Sequence, residues 1–180
     1  MGAVTSVRQQ IVDAALALVA DRGIAATSVD DIAAAAGVAK GSVFYNFGSK
    51  SGLFAGIIGD GVARLTEALR AAAEGRSGAE AIDALVTELL TQIRDHPDFA
   101  KLVATEIFRR GRDWQESIGT IRRDAMGVFA AAVAQVRPDS DAALAGAALF
   151  GATLVAGLDW LVFQPERTLD DVRRAVIAAW

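Results

Sequence analysis

The amino-terminal part of the chain carries short apolar stripes at helical spacing, separated by glycines. Over residues 7–19 the apolar positions fall three and four residues apart, which is typical of one face of an α-helix. This pattern predicts a first helix that runs to about Arg22. Gly23 follows at the position where a helix commonly ends in a left-handed cap.

Two much shorter helices are predicted directly after the first. Residues 29–36 have apolar positions at helical spacing, with Ser28 and Asp31 as an acidic variant of a capping box before them and Gly37 behind them. A third helix is predicted over residues 40–46. Two short helices joined by a tight turn that contains glycine are typical of the helix-turn-helix motif, whose second helix enters the DNA major groove.

Composition indicates a helical protein with a sizeable core and no cysteine chemistry. Hydrophobic residues make up 53% of the 180 residues and charged residues 22%, which argues against disorder. The absence of cysteine excludes disulfides, thiol catalysis and cysteine metal sites. The start, MGAVTSVRQQ, has no apolar run typical of a signal peptide, so we expect the protein in the cytoplasm.

One uncharged segment, residues 142–158, has to be compared with a membrane helix. It is shorter than the roughly 20 residues that span a bilayer, and it is rich in small side chains. Asp141 precedes it and Asp159 follows it. A carboxylate costs about 2.5–3.5 kcal/mol at the centre of a membrane helix and less near its end. We therefore expect a helix that is buried among other helices and no contact with a membrane.

The charge distribution leaves room for a compact DNA-binding surface. The net charge of −4 argues against broad, nonspecific coating of nucleic acid. Residues 1–50 have as many basic as acidic side chains, so residues 51–180 carry the whole negative charge. Residues 38–50, VAKGSVFYNFGSK, contain two lysines and no acid.

The chemistry of that last segment suits a phosphate backbone. Gly41 would let a phosphate approach the amino-terminal amides of the third helix. Lys40 and Lys50 can neutralise phosphates, and the hydroxyl groups of Ser42 and Tyr45 can reach a base edge or the backbone. Read alone, the two lysines are equally typical of a solvated surface.

The neighbouring positions have structural roles as well. Thr27 and Ser28 stand where hydroxyls and amides could hold a further phosphate, and Ser28 is also expected to cap the second helix. Val43 and Phe47 are expected in the core, and Phe44 is expected to be partly buried.

Three stretches keep a fixed spacing over residues 7–57: IVDAALALVADRG, TSVDDIAAAAGVAKGSVFYNF and KSGLFAGII. Together they resemble the DNA-binding domain of the TetR family of transcriptional regulators. The chain departs from the family pattern at Ala39, where Ser or Thr is usual, at Phe44, where Tyr is frequent, and at Asn46, where His is common. The resemblance implies DNA contacts by Thr27, Ser28, Lys40, Gly41, Ser42, Phe44, Tyr45, Asn46 and Lys50.

The resemblance also implies an all-α fold of about nine helices. A three-helix DNA-binding domain, residues 1–50, would be followed by a helical effector-binding and dimerisation domain, residues 51–180. Six helices are expected in the second domain: from residue 50 to past 69, then 79–95, 97–110, 113–136, 140–164 and 168–180. Pro97, Pro138 and Pro165 lie at boundaries between them.

The helix over residues 140–164 is the candidate for dimerisation. Its small residues permit close helix approach and its leucines supply apolar area, while the family uses its last two helices for a four-helix interface. The expected interface residues are Gly146, Phe150, Gly151, Leu154, Gly157, Leu158 and Leu161. A helix at the centre of a monomer core would show the same pattern.

The middle helices of the family usually enclose a pocket for a small molecule. The candidate lining residues are Phe99, Val103, Ile107, Trp114, Ile118, Ile121, Met126, Phe129 and Trp160. Such an apolar stripe is equally typical of plain core. An arginine turned inward could bind an anionic ligand, but the sequence does not single one out.

No catalytic residue, cofactor or metal site is predicted. His96 is the only histidine, cysteine is absent, and no phosphate-binding GxxxxGK[ST] motif occurs.

We therefore expect a homodimeric, ligand-responsive repressor that binds double-stranded operator DNA at two half-sites about 34–36 Å apart. The helix that begins at Lys50 would couple ligand binding to the spacing of the two DNA-binding domains. Two alternatives stay open. One is a DNA-binding dimer without a small-molecule effector. The other is a helical small-molecule binding protein that no longer reads DNA, which the departures at Ala39 and Phe44 would allow.

Overall fold

The computed structural model describes residues 6–106, 119 and 121–180, and every regular element within them is helical. The prediction of an all-α fold is confirmed. A π-helical turn, Ile121–Ala125, leads into α7. The α-helices are α1 (Val7–Ala26), α2 (Val29–Ala36), α3 (Lys40–Phe47), α4 (Lys50–Ala73), α5 (Gly78–Asp95), α6 (Pro97–Glu106), α7 (Met126–Val136), α8 (Ala142–Phe163) and α9 (Leu169–Ala179).

The first helix is interrupted where the sequence predicts its end. Gly23 has φ 79° and ψ 162°, and the helix resumes for a further turn as far as Ala26. A positive φ is accessible to glycine without a steric penalty, so the interruption falls on the residue that tolerates it best. The kink turns the chain toward α2.

The helix-turn-helix forms from local signals that the sequence displays. The Ser28 hydroxyl accepts a hydrogen bond from the Asp31 amide at 3.1 Å, and the Asp31 carboxylate accepts one from the Ser28 amide at 3.0 Å. The Ser28 amide and the Ser28 hydroxyl both donate to the Asp31 carboxylate, and these two bonds lower the pKa of Asp31. Gly37 ends α2 in the left-handed conformation, with φ 68°. As expected, Ala39 precedes α3 without a side-chain cap.

The body of the protein is built around α5, which packs against α4, α7, α8 and α9. α7 and α8 lie closest together, since a methyl group on Gly146 would stand only 2.5 Å from the Ala130 nitrogen. The rings of Phe129 and Phe150 meet edge to face, 5.7 Å apart.

α4 connects the three amino-terminal helices to the body, and α6 of the body packs against α1. Arg8 of α1 contacts both α4 and α3. Its guanidinium group pairs with Asp60 of α4 at 3.4 Å and lies 5.1 Å from the ring centroid of Phe47 in α3.

Among the described helices, α8 is the one long and apolar enough to cross a membrane, with a mean hydropathy of 1.7. In the most apolar 18-residue stretch of α8, 39% of the residues are buried inside the body. Four large apolar side chains of α8 are exposed: Leu144, Val155, Val162 and Phe163.

Candidate nucleic-acid interface and ligand cavity

The helix α3 presents nearly all its side chains to solvent. Val43 is its one buried residue and anchors the helix to the domain. Tyr45 is 91% exposed and Phe44 is 43% exposed. Phe44 is thus more exposed than expected. Exposed aromatic side chains beside a lysine are typical of a binding surface.

Lys40 at the start of α3 is already paired within the protein. Its ammonium group lies 2.9 Å from the carboxylate of Asp30 in α2, and both side chains are more than half exposed. In the same region, Arg22 lies 3.1 Å from Asp31. A DNA phosphate would therefore have to compete with an aspartate for the lysine.

The hydroxyl groups of the two residues before α2 serve the fold. Thr27 is 1% exposed, and its hydroxyl donates to the Gly23 carbonyl at 2.9 Å. The Ser28 hydroxyl is part of the capping box. Near the end of α3, the amide of Asn46 donates to the Ser42 carbonyl at 2.8 Å.

The nine expected DNA contacts thus fall at three places. Six of them lie along α3, two precede α2, and Lys50 opens α4. A methyl group on Gly41 would meet no atom within 4 Å, so the backbone there is open to an approaching phosphate. The sequence analysis gave no role to Arg8 and Arg22. Each forms an ion pair with a residue of another helix, and such a contact cannot be recognised from a local sequence pattern.

A cavity of about 280 Å³ lies where α1 of the DNA-binding domain meets the body. We call it the seam cavity. It is lined by Asp13, Leu16, Gly61, Arg64, Leu65, Leu89, Gln92, Ile93, Asp95, His96, Pro97, Asp98, Phe99, Ala100, Val103, Phe150 and Leu154.

Two of the expected pocket residues, Phe99 and Val103, line the seam cavity. Phe129 is fully buried, Trp160 is buried with its indole N–H donating to the Arg167 carbonyl at 2.9 Å, and Met126 packs against the core. Ile107, Trp114, Ile118 and the side chain of Ile121 lie outside the described residues.

The lining residues of α1 and α4 were not expected from the sequence. Gly61 gave no specific signal, because Gly52, Gly56 and Gly59 precede it in the same helix. Asp13, Leu16 and Arg64 give no signal either, since their patterns are those of an ordinary amphipathic helix.

The apolar residues that α8 exposes are not the ones expected at the dimer interface. Gly146, Phe150, Leu154 and Gly157 point into the protomer; a methyl group on Gly157, for example, would lie 2.8 Å from Ile93 Cδ1. Leu158 and Leu161 are partly buried against the same core, while Gly151 has open space above it. The large exposed apolar side chains of α8 are instead Leu144, Val155, Val162 and Phe163.

A groove runs between α8 and α9 beside this face. It is lined by Leu149, Ala152, Ala156, Ala175, Val176, Ala179 and Trp180. Small alanine side chains on both walls leave room for a further helix to approach closely. The apolar face and the groove together form what we call the α8–α9 surface.

Comparison with known proteins is most specific for the amino-terminal domain. Residues 11–57 match the family model of the bacterial regulatory proteins, tetR family. The similarity to the TetR family is therefore shown for this amino-terminal part of the chain. A 50-residue stretch is 46% identical to the HTH-type transcriptional regulator AcrR of Shigella flexneri, and it covers 28% of this chain and 23% of that protein.

Solved structures extend the TetR-like fold over nearly the whole chain. The putative fatty acid metabolism regulator of Clostridium perfringens is similar with a TM-score of 0.83 and 24% identity, covering 93% of this chain and 94% of that one. The fatty acid degradation regulator FadR of Bacillus halodurans has a TM-score of 0.81 and 19% identity, covering 98% and 95%. FadR of Bacillus subtilis, solved in complex with stearoyl-CoA, has a TM-score of 0.79 and 18% identity, covering 94% and 95%.

Proposed function

We propose that this chain is a TetR-like transcriptional regulator that binds a palindromic operator as a homodimer and is released by a small molecule. The observation that carries the proposal is the exposed surface of α3. An eight-residue helix that buries one side chain and exposes a lysine and two aromatic rings is built to contact something outside the protomer.

The dimensions and charge of α3 suit the DNA major groove. With its side chains an α-helix is about 10–12 Å across, and the major groove is about 12 Å wide. Lys40 at its start and Lys50 beyond its end lie where phosphates flank the groove. Tyr45, between them, is 91% exposed and can reach base edges or the backbone, and Asn46 can do so once its amide gives up the hydrogen bond to the Ser42 carbonyl.

The α8–α9 surface supplies a means to dimerise. Its apolar side chains and alanine-lined groove form a continuous patch that a second copy could cover with the same two helices. A twofold axis there would carry two copies of α3 toward two half-sites, as a palindromic operator requires.

The seam cavity supplies a means of control. Because it lies between α1 and the body, a ligand that fills it would favour one position of the DNA-binding domain over others. The similarity in fold to a regulator solved with stearoyl-CoA supports a ligand-responsive role. We assign this chain to repression in the cytoplasm, with release of the operator when ligand binds.

The proposal is tested by titrating mixed-sequence duplex DNA with the full-length protein at low salt, followed by fluorescence anisotropy. We expect saturable binding that weakens steeply with salt. Tyr45→Ala should weaken binding severalfold while leaving the melting temperature unchanged, because the side chain is exposed. Val136→Ala, at an exposed apolar position in α7, is the control. Equal binding by all three proteins would contradict the assignment of α3.

A further inference from the structure

The seam cavity is bounded by both parts of the protein. Leu16 comes from α1 of the DNA-binding domain, while α4, α5, α6 and α8 supply the other walls. A molecule in this cavity would therefore contact the DNA-binding domain directly, without an intervening helix.

The cavity has an apolar floor and a polar mouth. Leu65, Leu89, Ile93 and Phe150 are buried and form part of the floor. The exposed side chains at the mouth are Asp13, Arg64, Asp95 and His96. This arrangement suits an amphipathic ligand that buries its apolar part and leaves a polar group near solvent.

The acids that line the cavity all have partners of their own. Asp13 accepts a hydrogen bond from the Gln9 amide at 2.7 Å. Asp95 accepts one from Arg94 at 2.8 Å, which lowers the pKa of Asp95. Asp98 lies 3.9 Å from the Lys101 ammonium group.

Arg64 is different from these acids. Asp13, Asp95 and Asp98 each have a partner, whereas Arg64 has neither an ion pair nor a side-chain hydrogen bond among the described residues. The charge at the mouth that is still available to a ligand is therefore the positive charge of its guanidinium group, which is suited to a carboxylate.

We propose that the seam cavity binds a small apolar carboxylate whose carboxylate group pairs with Arg64 and whose apolar body packs against Leu16. The cavity volume of about 280 Å³ lies at the lower end of the range for ligand pockets, about 300–1,000 Å³, so the carboxylate has to be small. Octanoate and phenylbutyrate are compounds of this class and of approximately this size.

The regulatory consequence rests on the function proposed above, whereas ligand binding itself does not. A carboxylate held between Arg64 of α4 and Leu16 of α1 would fix the position of the DNA-binding domain relative to the body. Binding and release of DNA can therefore be measured separately.

The test is isothermal titration of the full-length protein with octanoate, phenylbutyrate, octanol and octylamine. We expect at least one carboxylate to bind about tenfold more tightly than octanol or octylamine, since a charge-assisted hydrogen bond discriminates by about that factor. Arg64→Gln should abolish this difference. Arg70→Gln, which changes an exposed arginine of α4 outside the cavity, should retain it.

Three results would overturn the proposal: no binding of either carboxylate, binding of both carboxylates no tighter than that of octanol, or binding of octylamine tighter than that of both carboxylates. The comparison of ligands uses the unmodified protein, so it is decisive even if a variant folds poorly. A protein that binds a carboxylate but no DNA would refute the proposed function alone. One that binds DNA but no carboxylate would refute the assignment of the seam cavity alone.

Discussion

The ring of Phe99 in α6 lies directly on the backbone of Gly61 in α4. A methyl group on Gly61 would stand 2.2 Å from Phe99 Cε2, far inside van der Waals contact. Glycine at this position therefore sets how closely α6 approaches α4. Both residues line the seam cavity, so the contact forms part of its wall.

Gly61→Ala should destabilise the protein by about 1–3 kcal/mol, because the new methyl group displaces the ring and overpacks the contact. In a Phe99→Ala background the same change should stabilise by up to about 1 kcal/mol, because alanine favours a helix more than glycine does. Urea unfolding of the four proteins measures both effects. If Gly61→Ala stabilises in both backgrounds, the ring does not depend on Gly61 for its position.

The ion pair between Lys40 and Asp30 predicts opposite effects of two substitutions on DNA affinity. Lys40→Ala should weaken binding to all sequences and flatten the dependence of log K on log salt by about one unit. Asp30→Asn should strengthen binding, because the lysine no longer has a competing carboxylate. Both are measured by anisotropy over a salt series.

Lys101→Ala is the matched control for the lysine, since Lys101 also lies close to an aspartate but in α6 of the body. An unchanged salt dependence in Lys40→Ala would remove this lysine from the phosphate contacts. Weaker binding by Asp30→Asn would show that the aspartate supports the DNA-bound form.

The α8–α9 surface predicts a substitution that produces monomers. Val155 is 67% exposed near the middle of α8, and Val155→Glu would bury a carboxylate if a second copy covers this face. Sedimentation velocity should show a dimer for the unmodified protein and a monomer for the variant. Val136→Glu, at an exposed position in α7, should stay dimeric. A dimeric Val155→Glu protein would place the interface elsewhere.

The capping box of α9 predicts an acid-dependent loss of stability. The hydroxyl group of Thr168 donates to the Asp171 carboxylate at 2.7 Å, and with the Thr168 amide and Arg174 it lowers the pKa of Asp171 to about 2. Because the pKa is lowered on folding, the contribution is fully present above the ordinary value of about 4 and is lost as the pH falls toward about 2.

Thr168→Ala should therefore raise the pKa of Asp171 toward its ordinary value and reduce the dependence of stability on pH between about 4 and 2. A carboxylate titration by NMR, together with unfolding at several pH values, checks both effects. A pKa of Asp171 that stays near 2 in the variant would assign the shift to the backbone amide of residue 168 and to Arg174 instead.

The parts of the structure that depend on neighbours in sequence were predictable, and the parts that depend on which helices meet were not. Ser28, Asp31 and Gly37 carry their own geometric signals, so the bounds of α2 follow from the sequence. Gly146 was expected at a dimer interface because small residues permit close approach, but it approaches α7 of the same protomer. The sequence does not indicate that Leu16 lines a cavity, because its place in the cavity wall depends on how α1 packs against the body.

Selection of random duplex DNA by the purified full-length protein, at about 150 mM salt and followed by sequencing, tests the central claim most directly. We predict enrichment of a palindrome whose half-sites are centred about one helical turn, or a multiple of it, apart, because two copies of α3 related by a twofold axis read the same sequence. A protein with both Lys40 and Tyr45 replaced by alanine should enrich nothing. If the unmodified protein is folded and dimeric and yet enriches no sequence, it does not read DNA in the way proposed here.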